Sequence, residues 1–368
     1  MRIKTRAKKF DYFFVSLVFL LIAFGLVMLT SASSDLGKNK PLINDSYYYL
    51  KHQVLYGFIP GLLLFFITAN VYYRRWEKLS LIFLIFSIGL LILVFSPLGI
   101  LSGGARRWLD LGGFTFQPSE IVKFSFLIYL SAWLGRNKDR AKSFFGGFLP
   151  LLSVLVLIAG ILLIQHSTSA TVIIGTSAVA VYFISGARFR YIFAIALLGI
   201  AVLAVAVCFT SYRSARVTAF FNPTSDLQGK NYQQNQTIQA IGSGKLWGRG
   251  YGQSTTKINS LPEPIGDSIF AVIGEELGFA GAAGLVAAFF LLIWRSFVIA
   301  RKNSDNFAKL LAISFGMVVG LQVFVHVAAL TGIIPLTGVP LPFISYGGTA
   351  LAVFMTMAGI ITNISKYN

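Results

Sequence analysis

The chain has 368 residues, of which 56% are hydrophobic and 12% charged; 31 Lys and Arg face 13 Asp and Glu, for a net charge of +18. Soluble domains carry about 25% charged residues, so there is too little polar surface here to keep so much apolar side chain in water. A disordered chain, a collagen and a disulfide scaffold are excluded, and a nucleic-acid binder is disfavoured despite the basic balance. Cys208 is the single cysteine and can form no intrachain disulfide. What remains is an all-α polytopic integral membrane protein.

A helix needs about 20 apolar residues to cross about 30 Å of hydrocarbon. In chain order the apolar runs predict ten spans, at 12–32, 52–71, 79–97, 119–135, 146–164, 168–185, 190–209, 268–294, 308–331 and 342–363. The fifth and sixth are divided only by the corner Gln165–Ser167. Arg2, Lys4, Arg6, Lys8 and Lys9 precede the first run and Ser31-Ala32-Ser33 closes it, as in a signal peptide. The run exceeds the usual ~7–15 apolar residues of such a signal, and an uncleaved first span is expected.

With the N-terminus placed in the cytoplasm, 19 of the 31 basic residues fall on the cytoplasmic side. The positive-inside rule then puts both termini inside. Residues 210–267, between spans seven and eight, form a large extracytoplasmic loop within a single 1–368 membrane domain. Loops of that length are usually functional or disordered. This one carries Trp247, Tyr251 and glycines at 242, 244, 248, 250 and 252, and is not of low complexity.

Ionisable groups at span ends are the informative ones, because charge in hydrocarbon costs several kcal/mol. Three clusters fall toward the outer face. The first runs from Gly103 through Arg106-Arg107-Trp108 to Gln117-Pro118-Ser119-Glu120 and Lys123. Pro118 suits a helix start; Glu120 and Lys123, three apart, share a helix face. They read either as a structural ion pair beside interfacial arginines, or as an anion-binding wall.

The second cluster is Leu261-Pro262-Glu263-Pro264-Ile265-Gly266-Asp267, leading to Glu275-Glu276-Leu277-Gly278. Asp267 stands where a long helix begins. It reads either as an N-cap or as a general base whose pKa is raised by desolvation. Glu275 and Glu276 lie roughly 12–13 Å deeper along the axis. The third cluster, Thr331 to Thr349, holds Pro335, Pro340 and Pro342 with Ser345 and Gly347-Gly348. Its first half cannot be regular helix, and irregular backbone at membrane depth must be buried in protein or line a cavity. The glycine pair admits a close approach by a helix or a lipid chain. A Walker loop, a zinc motif and a serine-hydrolase elbow are all absent.

At these clusters the sequence resembles the SEDS family (shape, elongation, division and sporulation) of peptidoglycan polymerases. The matching segments are Gly104–Lys123, Phe221-Asn222-Pro223, Ile241–Gly252, Leu261–Gly278 and Gly332–Gly348, in family order over essentially the whole chain. Phe221-Asn222-Pro223 and Gly250-Tyr251-Gly252-Gln253-Ser254, with Lys257 and Leu261-Pro262-Glu263 after it, are most like the division (FtsW) or sporulation branch. The resemblance implies a glycosyltransferase polymerising lipid II outside the cytoplasmic membrane, with a class B penicillin-binding protein and division-complex proteins as partners. It places the essential aspartate on Asp267, the arginine of the Arg-Trp pair on Arg107, and the acid of Gln-Pro-Ser-Glu on Glu120. Three departures stand out. Ile265-Gly266-Asp267-Ser268-Ile269-Phe270 replaces His-Thr-Asp-Phe-Ile-Phe. Gln165-His166-Ser167 lacks the family aspartate. His326-Val327-Ala328 stands where the family has Asn-Ile/Val-Gly, and a histidine on an apolar face reads first as a packed residue.

The expected mechanism has Asp267 taking the proton of a sugar 4-hydroxyl. Arg106, Arg107 and Lys123 are expected at the departing pyrophosphate, and Glu120, Glu275, Glu276 and Ser345 around the cavity. A divalent cation, Mg or Mn, on Asp267, Glu120 and Glu275 would serve the same end. Rival readings are a flippase or transporter of the lipid-linked precursor, an elongation (RodA-type) polymerase, and a scaffold that activates its partner.

Overall fold

The computed structural model describes residues 9–38, 45–102, 104–110, 112–113, 115–137, 139–221 and 231–367. The Asn222-Pro223 part of one family segment and four basic residues of the N-terminal group lie outside them. The elements in order are α1 (Tyr12–Lys38), α2 (Tyr48–Gln53), α3 (Ile59–Asn70), α4 (Arg74–Leu93), β1 (Gly99–Ser102), β2 (Ala105–Asp110), β3 (Thr115–Phe116), α5 (Pro118–Gly135), α6 (Leu149–Ile164), α7 (Thr168–Ile184), α8 (Phe189–Cys208), α9 (Ser211–Phe221), α10 (Tyr232–Ser243), α11 (Thr256–Asn259), α12 (Ile269–Lys302), α13 (Asn306–Leu330) and α14 (Gly348–Ser365). A π-helical turn joins α2 to α3, and another leads into α6.

Among the described residues eight helices are long and apolar enough to cross a membrane. They lie on the first, second, third, fifth, seventh, eighth, ninth and tenth expected spans. The fourth falls on α5, whose Glu120 and Lys123 lower its hydropathy, and the sixth on α7, which has 17 residues. The corner between α6 and α7 is where the sequence put it, and Gln165 pins it by donating to Leu91 O (2.7 Å). Helix α1 continues through Ser31, Ala32 and Ser33, all buried.

The bundle is held by close backbone approach as well as by apolar packing. A Cβ on Gly348 would stand 2.7 Å from Tyr56 O, and one on Gly359 2.6 Å from Phe65 O. The approach that Gly347-Gly348 allows is therefore made by a helix, the α2–α3 unit. Small residues bring membrane helices together in this way because lipid supplies no hydrophobic drive between them.

Two features depart from the sequence reading. The segment before α5 is a three-stranded antiparallel sheet in the order β1-β2-β3, with Gly99 opposite Leu109 and Leu109 opposite Phe116. No strand is expected from a stretch so rich in glycine. Leu109, Phe116 and Val94 bury a small apolar cluster beneath it, which fixes the sheet to the end of α4. Helix α12 is also broken, at Gly278 (φ 67°, ψ −169°).

At that break the loop backbone takes over the pairing. Arg249 N donates to Glu275 O and Gly250 N to Glu276 O, while Phe279 N and Ala280 N donate to Lys245 O and Leu246 O. The φ/ψ of Gly278 is open essentially to glycine alone, and a Cβ there would fall 2.3 Å from Gly248 N. Gly278→Ala should destabilise the fold by at least about 1–3 kcal/mol. Its melting temperature in detergent should fall clearly; an unchanged value would remove the break from the list of stabilising features.

Candidate active site

The irregular segment between α13 and α14 has its carbonyls satisfied one after another by side chains. Arg216 Nη1 donates to Leu336 O (3.0 Å). Ser169 Oγ donates to Thr337 O. His326 Nδ1 is 2.6 Å from Val339 O, and Gln322 Nε2 donates to Pro340 O (3.4 Å). This meets the requirement that non-helical backbone in a membrane protein be paired by protein groups.

The segment in turn holds the turn that carries Asp267. Ser345 Oγ donates to Gly266 O (2.8 Å) and accepts from Leu341 N (2.8 Å). Tyr346 N donates to Ile265 O (2.8 Å). From the other side Ser268 Oγ donates to Pro262 O (2.8 Å) and accepts from Gln233 Nε2 of α10 (3.3 Å). Ile265, Gly266 and Ser268, the three changed residues of the first departure, thus sit inside this clamp, with Ser268 as a working part of it.

Asp267 itself is held by its backbone neighbours only. Ser268 is the N-cap residue of α12 and makes no side-chain capping bond. The Asp267 carboxylate makes no hydrogen bond among the described residues, so the capping role is not what it does. The carboxylate shares a cleft with Arg216, Gln233, His326, Leu336, Thr337, Gly338 and Val339. Gly338, at φ +66°, leaves room for it: a Cβ there would be 2.9 Å from Asp267 Oδ2. Burial, then the nearby Glu263, raise the Asp267 pKa above the ordinary aspartate value; Arg216 and Arg107 pull it back. Arg107, on β2, donates to His166 O (2.8 Å), which ties the sheet to the α6–α7 corner.

The other expected site residues are distributed differently. Arg106 is exposed on β2, and successive strand residues point to opposite faces. Lys123, expected at the pyrophosphate, is 3% exposed. Its ammonium lies 2.8 Å from Glu120 and donates to Gln322 Oε1 (2.6 Å), above the Phe354 ring. An ammonium sealed in an apolar bundle must be paired, and here the pair joins α5 to α13 and does not line the cleft.

Glu275 and Glu276 are wholly buried at the helix break. Glu275 is 3.1 Å from Arg249 and accepts from Ser254 Oγ (2.6 Å), Thr255 N (3.1 Å) and Thr256 Oγ1. Glu276 pairs with Lys257 (2.7 Å) and accepts from Ser31 Oγ of α1 (2.6 Å). Both acids bind protein cations and lock the loop onto α12. Asp267, Glu120 and Glu275 are therefore not brought together. Among the described residues no group of three His, Cys, Asp or Glu could hold a metal ion.

Sequence reasoning missed Arg216 and Gln233, and had the α11 residue Lys257 only as part of a branch motif. All three lie in short helices of the 210–267 loop, where mixed polarity gave no periodic signal.

Residues 11–368 match the family model for FtsW, RodA and SpoVE, described as cell cycle protein. The chain is 34% identical over 361 residues to the probable peptidoglycan glycosyltransferase FtsW of Geobacter sp. (strain M18), spanning 98% of each chain. It is 35% identical over 360 residues to stage V sporulation protein E of Bacillus subtilis (strain 168), spanning 97% of each. It superposes on a chain of a peptidoglycan synthase complex with a TM-score of 0.80, at 26% identity over 97% of both chains. On RodA of Thermus thermophilus the TM-score is 0.70, at 27% identity over 97% of this chain and 96% of that one. This multi-pass membrane protein belongs to the FtsW, RodA and SpoVE family of cell cycle proteins, the SEDS family its motifs resemble.

Proposed function

We propose that this chain is a peptidoglycan glycosyltransferase that polymerises lipid II for cell division at the outer face of the cytoplasmic membrane. The observation that carries the reading is the cleft at the head of α12. It holds Asp267, whose carboxylate makes no hydrogen bond among the described residues, with the guanidiniums of Arg216 and Arg107 acting on it. Glycan polymerisation needs that combination. The acceptor 4-hydroxyl gives its proton to the carboxylate, and its oxygen bonds to C1 of the donor sugar. The bond from C1 to the pyrophosphate oxygen breaks, and the departing negative charge falls to the arginines. Arginine suits that task because its planar fork binds phosphate oxygens two at a time.

The buried ion pairs elsewhere weigh against the transporter reading. Glu120 with Lys123, and Glu276 with Lys257, neutralise one another inside the protein and leave the open chemistry at one end of the bundle. Branch assignment to division follows the FtsW relatives, with the sporulation protein equally similar in sequence. The likeness to a synthase complex supports a cross-linking partner of the class B penicillin-binding type. Both termini cytoplasmic is the orientation that the basic loops favour.

The purified chain, with and without that partner, should form glycan chains from lipid II in detergent or vesicles. Transbilayer movement of lipid II without polymerisation would replace this reading with the transporter.

A further inference from the structure

His326 lies on α13 and is 2% exposed. Its Nδ1 stands 2.6 Å from Val339 O. A carbonyl oxygen only accepts, so Nδ1 carries the proton, and the neutral ring then presents Nε2 as a bare lone pair. Nε2 has no hydrogen-bond partner among the described residues. The same residue lines the Asp267 cleft, as does Thr337, whose buried Oγ1 is also unpartnered. Buried polar atoms are nearly always hydrogen-bonded. Here two of them belong to residues that line one cleft with Asp267, whose carboxylate makes no hydrogen bond among the described residues. Anchoring the Val339 carbonyl accounts for Nδ1 and leaves Nε2 unexplained.

We propose that His326 Nε2, with Thr337 Oγ1, forms the sugar-binding side of the cleft. Nε2 accepts a hydrogen bond from a donor on the acceptor sugar, a ring hydroxyl or an acetamido N–H. That bond holds the neighbouring 4-hydroxyl against Asp267. A phosphate oxygen has no proton to give and is repelled by the imidazole lone pair, so the pyrophosphate takes the arginine side. The cleft is thereby polarised, with the acceptor sugar at His326, Thr337 and Asp267 and the leaving group at Arg107 and Arg216. The inference rests on the function proposed above.

His326→Asn separates the two roles. Asparagine places an amide N–H where Nδ1 stands and nothing where Nε2 stands, so the Val339 anchor is kept. The loss of one hydrogen bond should lower kcat/KM for lipid II roughly three- to tenfold, with the melting temperature unchanged. His326→Gln keeps an acceptor at the outer position but takes the donor from Val339 O, so its melting temperature should fall below the parent's. Parent kcat/KM in the Asn variant would overturn the contact.

A second arm does not depend on turnover. In the parent chain labelled with 15N-histidine, the Nε2 signal missing from His326→Asn should shift when lipid II is added. An unmoved signal sinks the contact. A parent chain that binds with the shift yet makes no glycan sinks the polymerase reading instead.

Discussion

Asp267→Asn is expected to abolish glycan chain formation while leaving the fold intact. Removing a positioned general base costs about 10²–10⁴-fold in rate, which takes the product below detection in an ordinary assay of purified protein. The prediction is sharp because the carboxylate makes no hydrogen bond among the described residues and does not cap α12. The amide is nearly isosteric, so its substitution breaks no structural contact. Two pH consequences carry opposite signs for rate and stability. Burial and Glu263 raise the Asp267 pKa. The base works when ionised, so the parent rate should fall as pH drops through a value above that of an ordinary aspartate, and the Asn variant should lack this limb. The folded chain also holds that proton more tightly than the unfolded chain, so ionisation costs stability as pH rises through the unfolded value and on through the raised folded one. At neutral pH the Asn variant should therefore melt at the parent temperature or higher. Parent-like polymerisation by Asp267→Asn would remove the base from the mechanism.

The parts of this molecule that could be read in advance are those whose physics is local. Ten apolar runs follow from the length needed to cross hydrocarbon, and eight of them are helices that meet it by length and composition. Pro118 at a helix start, the Gln165 corner and the broken segment before α14 follow from the backbone chemistry of proline and glycine. Asp267 was legible because an acid at the head of an apolar helix is costly. Its partners were not. Glu276 is buried whether it faces substrate or Lys257, and the sequence gives only the acid. The answer depends on a lysine in the loop and on Ser31, 245 residues away. Lys123 illustrates the same limit: helical spacing paired it with Glu120, but only the packing of α5 on α13 shows that the pair is sealed from the cleft. The β1–β3 sheet was unreadable because its strands are two to six residues long and its burial comes from Val94 outside it.

Lys257→Met should be among the most destabilising single changes outside the cleft. The Lys257 ammonium donates to Glu276 Oε1 (2.7 Å), Ser31 Oγ (2.8 Å) and Gly252 O (3.1 Å). Its side chain and that of Glu276 are 2% and 0% exposed. Removing one member of a buried pair strands the other charge without solvent, at a cost of about 3–5 kcal/mol. The damage should also spread. Lys257 joins α11 to α1 and to the broken head of α12, and that head carries the Asp267 turn eleven residues before the break. Activity should therefore fall together with the melting temperature, unlike in Asp267→Asn, where the two separate. The double variant Lys257→Met with Glu276→Met tests the cause. Replacing a buried pair by apolar residues of similar volume is often close to neutral, so most of the lost stability should return, with Ser31 left to find another acceptor. Melting of the two variants in detergent decides the matter. A double variant as unstable as the single one would show that the network acts through packing and not through its charges.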